Sequence, residues 1–142
     1  MKLRTTAIVL IGWLAVVAAC SPVQAASNTL NLKWYSFEEG MELGNSQGKK
    51  VFIHFWAQWC TYCHTMEKET FANPNVVDFL NRNFISVKVD TDREKTIPGL
   101  FRVQGLPDNW FFSASGQIIG HRPGYIPPET FLKILEAVSS QQ

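Results

Sequence analysis

Two cysteines three residues apart, Cys60 and Cys63, carry the strongest chemical signal in this 142-residue chain. They lie in the stretch Trp59-Cys60-Thr61-Tyr62-Cys63, just after Val51 to Trp56, a run that is nearly all apolar and rich in β-branched and aromatic residues. Such a run reads as a strand buried on both faces. A three-residue turn then leads into a helix expected to run from Cys60 to about Phe71. The spacing puts Cys60 at the helix N-terminus and Cys63 one turn in, close enough for a short disulfide. Unpaired N–H groups and the helix dipole favour negative charge at that end, and so favour a Cys60 thiolate. Cys63, shielded inside the turn, stays a thiol until it is needed. That asymmetry makes Cys60 the attacking nucleophile and Cys63 the resolving thiol of a disulfide-exchange pair.

Other chemistries use the same residues. Cys60-Thr61-Tyr62-Cys63-His64 also fits C-x-x-C-H, the attachment motif for c-type haem, with His64 as an axial ligand. That use needs a second axial ligand. Met41 and Met66 are available, but Met66 follows two residues later on the same helix and points elsewhere. Haem attachment also has no need of a buried strand running into the motif. Zinc would find half a site in one C-x-x-C and would need His54, His64 or His121 to complete it. A third alternative is a purely structural disulfide in a non-catalytic binding module, because a fold does not by itself prove activity. His64 is either a surface residue or, if it lies near the Cys60 sulfur, a partial charge favouring thiolate.

The elements that must position these residues can be followed along the chain. Leu32 to Tyr35 reads as a short strand. Ser36-Phe37-Glu38-Glu39 is a capping box opening a helix that ends by Gly48, with Gly44 as an earlier stopping point. Asn73-Pro74 starts another helix, carrying Val76, Val77 and Leu80 as its apolar stripe. Phe84 to Val89 is a strand. Asp92 to Phe101 reads as a short helix interrupted by Pro98 and Gly99. Asn109 to Phe112 and Gln117 to His121 form a hairpin around Ser115-Gly116. Pro128 to Val138 closes the chain as a helix with Phe131, Leu132, Leu135 and Val138 on one face. The order β-α-β-α-β-α-β-β-α predicts an α/β sandwich whose mixed sheet has helices on both faces.

Length suits one domain. The formal net charge is +1, and 13 basic residues against 12 acidic become 11 against 12 once residues 1–25 are set aside. Nothing in that balance suggests nucleic acid as a partner. Residues 1–25 read as a signal peptide: Lys2 and Arg4, an apolar stretch from Ala7 to Ala19, then Val23-Gln24-Ala25 with cleavage before Ala26. The apolar run is shorter than the roughly 20 residues of a spanning helix. Val17-Ala18-Ala19-Cys20 offers a competing lipobox, which would lipidate Cys20 and tether the product as a membrane-anchored lipoprotein. Residues 26–142 are then the domain, with 26–31 as its leader. Export implies a compartment where disulfides persist, which for this signal is the periplasm.

The run Val51 to His64 resembles the active-site strand and helix of thioredoxins, and Val103-Gln104-Gly105-Leu106-Pro107 is similar to the loop that carries that family's cis-proline. The pattern Glu67-Lys68-Glu69-Thr70-Phe71-Ala72-Asn73-Pro74, followed by Val76, resembles the periplasmic C-terminal thioredoxin domain of DsbD-type reductases. The resemblance covers about residues 34 to 138. It implies the thioredoxin fold and a thiol–disulfide oxidoreductase with no cofactor and no metal. It also implies the nucleophile and resolving roles for Cys60 and Cys63, and substrate contacts for Trp59, Leu106 and Pro107. Glu67 takes the place of an acidic residue beside the cysteines; its plainer reading is a solvated helix charge. The implied partners are exported proteins with cysteines and a membrane electron donor of the DsbD type, with reduction the favoured direction. Two residues depart from the pattern. His54 stands where the family keeps a buried Asp that shuttles the resolving thiol's proton, and is either a base in its stead or a packed core histidine. Asp108 stands where Thr usually follows the proline, and puts an acid near the substrate groove.

Overall fold

The structure, a computed structural model, describes residues 31–141. The expected signal peptide, both candidate cleavage sites, Cys20 and nearly all of the expected leader lie outside the described residues. The elements run β1 (Trp34–Tyr35), α1 (Phe37–Gln47), β2 (Lys50–Trp56), α2 (Thr61–Glu69), α3 (Pro74–Asn83), β3 (Phe84–Asp90), α4 (Thr96–Leu100), β4 (Asp108–Phe112), β5 (Ile118–Pro123) and α5 (Pro128–Ser139). They build one five-stranded sheet in the order β1-β3-β2-β4-β5. β1 and β2 run parallel to β3, whereas β4 runs antiparallel to both β2 and β5. This is the expected mixed sheet with helices on both faces. Among the described residues no helix is long and apolar enough to cross a membrane.

Strand alternation divides the core in two. Val51, Ile53 and Phe55 of β2 join Ile85, Val87 and Val89 of β3 on the face covered by α1 and α4. Phe52 points the other way and meets Met66, Phe71, Leu80, Phe131 and Leu135 from the side of α2, α3 and α5. Its ring lies 5.3 Å from Phe131, 5.5 Å from Phe111 and 5.9 Å from Phe71. Each ring removed from such a cluster leaves a cavity worth about 3–5 kcal/mol.

The helix ends follow local chemistry. Ser36 Oγ accepts from the Glu39 N–H at 3.3 Å, and Gly48 closes α1 at φ 65°. Gly44, the other candidate stop, lies within the helix and is buried. A Cβ there would sit 2.4 Å from Val51 Cγ2, and one at Gly40 would sit 2.0 Å from Val87 Cγ2. Their lack of side chain lets α1 lie directly on the sheet. Asn73 caps α3 by accepting from the N–H groups of Asn75 and Val76, with Pro74 as the first helical residue.

Several bounds differ from those expected. The first strand keeps only Trp34–Tyr35 and the last is displaced to Ile118–Pro123. The α4 helix is five residues long instead of the ten from Asp92 to Phe101. Asp90 draws the chain after it into a turn, its carbonyl accepting from Arg93 and Glu94 and its carboxylate from the Asp92 N–H. Glu94 Oε1 then accepts from Thr96 N–H at 2.6 Å, so the helix starts there, and Pro98 falls in its first turn where no N–H is missed. The α2 helix stops at Glu69, two residues short of Phe71. Thr70 next to it is fully buried and donates its hydroxyl to the Ile126 carbonyl at 2.6 Å.

Candidate active site

Cys60 is the N-cap of α2, held in extended conformation at φ −80° and ψ 100°. Its sulfur accepts from the Cys63 N–H at 3.1 Å, the place a Ser or Asp oxygen occupies in an ordinary cap. Its carbonyl accepts from Cys63 and His64, and its own N–H donates to Ala57. Cys60 thus sits at the N-terminus of the helix, as the spacing predicts. Cys60 and Cys63 are joined by a disulfide, with 5.2 Å between Cα atoms. Both are buried, in a small cluster with Ala57 against which Trp56 and Leu106 pack.

Leu106 reaches that cluster because β2 and β4 are antiparallel neighbours. Trp56 ends β2 just before the cysteines, and Asp108 begins β4 just after the loop, so turn and loop meet at one end of the ladder. The Leu106–Pro107 peptide is cis, as the resemblance implies. The Pro107 carbonyl accepts from Gly124 N–H at 2.7 Å, while among the described residues the N–H and carbonyl of Leu106 remain unpaired. A groove of about 430 Å³ lies beside the loop, lined by Leu106, Val103, Pro98 and Trp59 among others. Trp59 is 69% exposed, and its indole N–H donates to Asp92 at 3.3 Å.

His54 is completely buried. It lies on the β2 face that carries Phe52, the face covered by α2, with its ring edge-on to Phe71 at 4.9 Å. Nδ1 is 2.8 Å from the Asn109 side-chain oxygen, and among the described residues Nε2 has no partner. Burial pushes its pKa down to about 4; the Asn109 bond opposes that shift, the nearby Lys88 charge adds to it and Glu67 works against it. At neutral pH the ring is an uncharged base.

Glu67 follows Cys63 by one turn and is half-buried, with its carboxylate paired instead of free. It pairs with Lys88, whose Nζ lies 4.0 Å over the Trp56 ring. Its other oxygen is 3.6 Å from His64 Nδ1. His64 is held on its other side by the Gln58 carbonyl, 2.7 Å from Nε2. Asp108 is buried, with its carboxylate 3.0 Å from Nδ1 of the exposed His121, so it already has a partner on β5. The three histidines that zinc would have recruited thus have separate partners. Met66, the methionine nearest the haem motif, is packed in the core against Phe52.

Two residues near the site escape sequence reasoning. Lys88 reads only as one polar residue in a strand, yet its register opposite His54 puts a cation beside the buried ring. Asn109 sits in the run Asp108–Phe112 directly across from His54. An amide inside such an apolar run is the one available signal, and it does not name its partner.

Residues 37–139 match the thioredoxin-like domain family. The thiol:disulfide interchange protein DsbD of Pseudoalteromonas atlantica is 36% identical over 101 residues, which is 67% of this chain and 17% of that protein. The chain therefore spans only about a sixth of that relative's length. Among solved structures, a thioredoxin from Thermus thermophilus superposes with a TM-score of 0.71 at 28% identity, covering 78% of this chain and 88% of that one. A DsbH oxidoreductase shares the fold, with a TM-score of 0.67 at 18% identity over 89% of this chain and 94% of the other. This chain belongs to the thioredoxin-like domain family, and its Cys60–Cys63 pair on that fold is that of a thiol–disulfide oxidoreductase.

Proposed function

We propose that this chain is an exported reductant of disulfides in other exported proteins, working in the periplasm and recharged by a membrane electron donor of the DsbD type. The observation that carries the reading is the Cys60 sulfur acting as the cap of α2 beside the cis-Leu106–Pro107 loop. In the reduced form the N–H groups at the helix N-terminus favour a Cys60 thiolate. The thiolate attacks one sulfur of a substrate disulfide; the substrate S–S bond breaks, a Cys60–substrate bond forms, and the other substrate sulfur leaves as thiolate. Cys63 then gives up its proton and attacks Cys60 Sγ, closing the intrachain disulfide and releasing the second substrate sulfur. Two electrons have passed to the substrate. Renewal of the pair needs a dithiol donor, and the membrane partner fills that role.

Each remaining residue has a place in this scheme. The free backbone of Leu106 pairs with an extended substrate segment, Pro107 shapes that edge, and Trp59 lines the groove. His54 takes the Cys63 proton at Nε2. Glu67, with Lys88, sets the charge beneath the helix. The signal peptide at residues 1–25 delivers the chain, and lipidation at Cys20 is the alternative processing route.

Cys60→Ser is expected to abolish exchange, whereas Cys63→Ser accumulates mixed disulfides through Cys60, visible on non-reducing gels. Wild-type turnover of a model disulfide by Cys60→Ser would overturn the mechanism. The direction is decided by the reduction potential of the pair, with about 30 mV worth roughly 1.4 kcal/mol. A potential near that of glutathione or below supports reduction, and one near that of the strong periplasmic oxidants overturns it.

A further inference from the structure

We propose that Asn109 is a positioning residue that locks His54 in the Nδ1-protonated tautomer and leaves Nε2 as a lone-pair acceptor inside the core. The inference deepens the proton-transfer role of His54 and rests on that reading for its catalytic part.

The argument begins with the amide. Asn109 is fully buried, and its side-chain nitrogen lies 3.1 Å from the Arg122 carbonyl and 3.3 Å from the Gly124 carbonyl. A carbonyl accepts and never donates, so the atom facing two carbonyls must be the NH2 group. That fixes the orientation of the amide, and the oxygen is the atom 2.8 Å from His54 Nδ1. An oxygen there accepts, so Nδ1 carries the hydrogen. A neutral imidazole has only one N–H, and Nε2 is therefore bare. The ring is neutral because burial drives its pKa to about 4. The other charged groups around it are Lys88 on β3 and Glu67 on α2; Trp34 and Phe71 close the remaining sides with aromatic surface.

The lock matters for the chemistry. A buried imidazole N–H that loses its acceptor is left unpaired in the core, so the Nδ1 bond sets the preference between tautomers. With Nδ1 protonated, the proton leaving Cys63 sulfur has one acceptor, Nε2. The electron pair left on that sulfur forms the bond to Cys60, the substrate thiolate departs, and the imidazolium later returns its proton to solvent or to that thiolate. In the other tautomer Nε2 already holds a hydrogen and the step has no base.

The test is spectroscopic first. In the wild-type protein, long-range 1H–15N correlation at pH 7 is expected to show His54 with a protonated Nδ1 and an unprotonated Nε2. Asn109→Ala removes the acceptor and is expected to make Nε2–H the dominant tautomer and slow resolution by Cys63 about tenfold or more, with the first attack by Cys60 unchanged. Asn109→Asp still accepts from Nδ1, so it should keep the tautomer, recover most of the resolution rate and raise the pH at which His54 protonates. An Nε2–H signature in the wild type overturns the proposal even if neither variant folds. An unmixed Nδ1–H tautomer in Asn109→Ala overturns it as well. The expected wild-type tautomer together with an unchanged resolution rate in Asn109→Ala keeps the lock and overturns the role of His54 in catalysis. A wild-type protein that exchanges no disulfide overturns only the redox reading.

Discussion

Unfolding exposes His54 to water, where an imidazole titrates near pH 6.5, whereas in the folded protein burial holds it near 4. Between these values the unfolded chain binds a proton that the folded chain refuses. Stability from this group is therefore complete above pH 6.5 and is lost as pH falls toward 4. Going from pH 7 to pH 5 is expected to cost about 2 kcal/mol from His54 alone. Urea titrations at the two pH values check this against His54→Leu, which should show a smaller acid loss by that amount whatever its stability at pH 7. Equal losses would mean that the ring already titrates normally in the fold. The catalytic side is separate: His54→Ala should slow resolution about a hundredfold while sparing the first attack. Stopped-flow measurement from pH 6 to 8 checks it, and an unchanged rate would reduce His54 to core packing.

At the level of elements, the approach of α1 to the sheet depends on two bare positions. Gly40→Ala would drive a methyl group to 2.0 Å from Val87, so the helix must lift or the valine must move. A loss of about 1–3 kcal/mol is expected, recovered in part by pairing the change with Val87→Ala; thermal unfolding of the single and double variants reads this out. Sequence reasoning sees Gly44 as a possible stop, because helix-breaking is a local property while close packing needs the strand across the gap. The ends of α1 and α3 are legible because they are local in just that sense. Ser36, Gly48, Asn73 and Pro74 act within a few residues of themselves. The cysteines and the core stripe are readable in the same way, and the cis-proline through the resemblance of its loop. The start of α4 is not, although its bonds are equally local: Asp90 and Glu94 turn the chain where Asp92 reads as an equally good helix start. Nor is the His54–Asn109 contact, which joins residues 55 apart through strand register. The contact between buried Asp108 and exposed His121 belongs to the same class: the carboxylate of Asp108 looks available for substrates until β5 is laid beside β4.

For the molecule as a whole, redox state and stability are linked through a thermodynamic cycle. If the pair serves as a reductant, folding must favour the disulfide over the dithiol more than the unfolded chain does. The oxidised protein is then the more stable, by about 1.4 kcal/mol for each 30 mV between the folded and unfolded potentials. Denaturation of the two forms in parallel checks the sign, and a more stable reduced form would reverse the proposed direction of electron flow. The placement of the pair bears on how long such a protein survives. β2 is bonded along both edges, to β3 and to β4, and the cysteines are reached directly from its end. Amide hydrogens in the middle of such a strand open only with the whole sheet and should be among the slowest in the chain to exchange with deuterium. Electrons can therefore be traded at one rim on the timescale of sulfur chemistry, while wear on the protein is counted on the far slower clock of global unfolding.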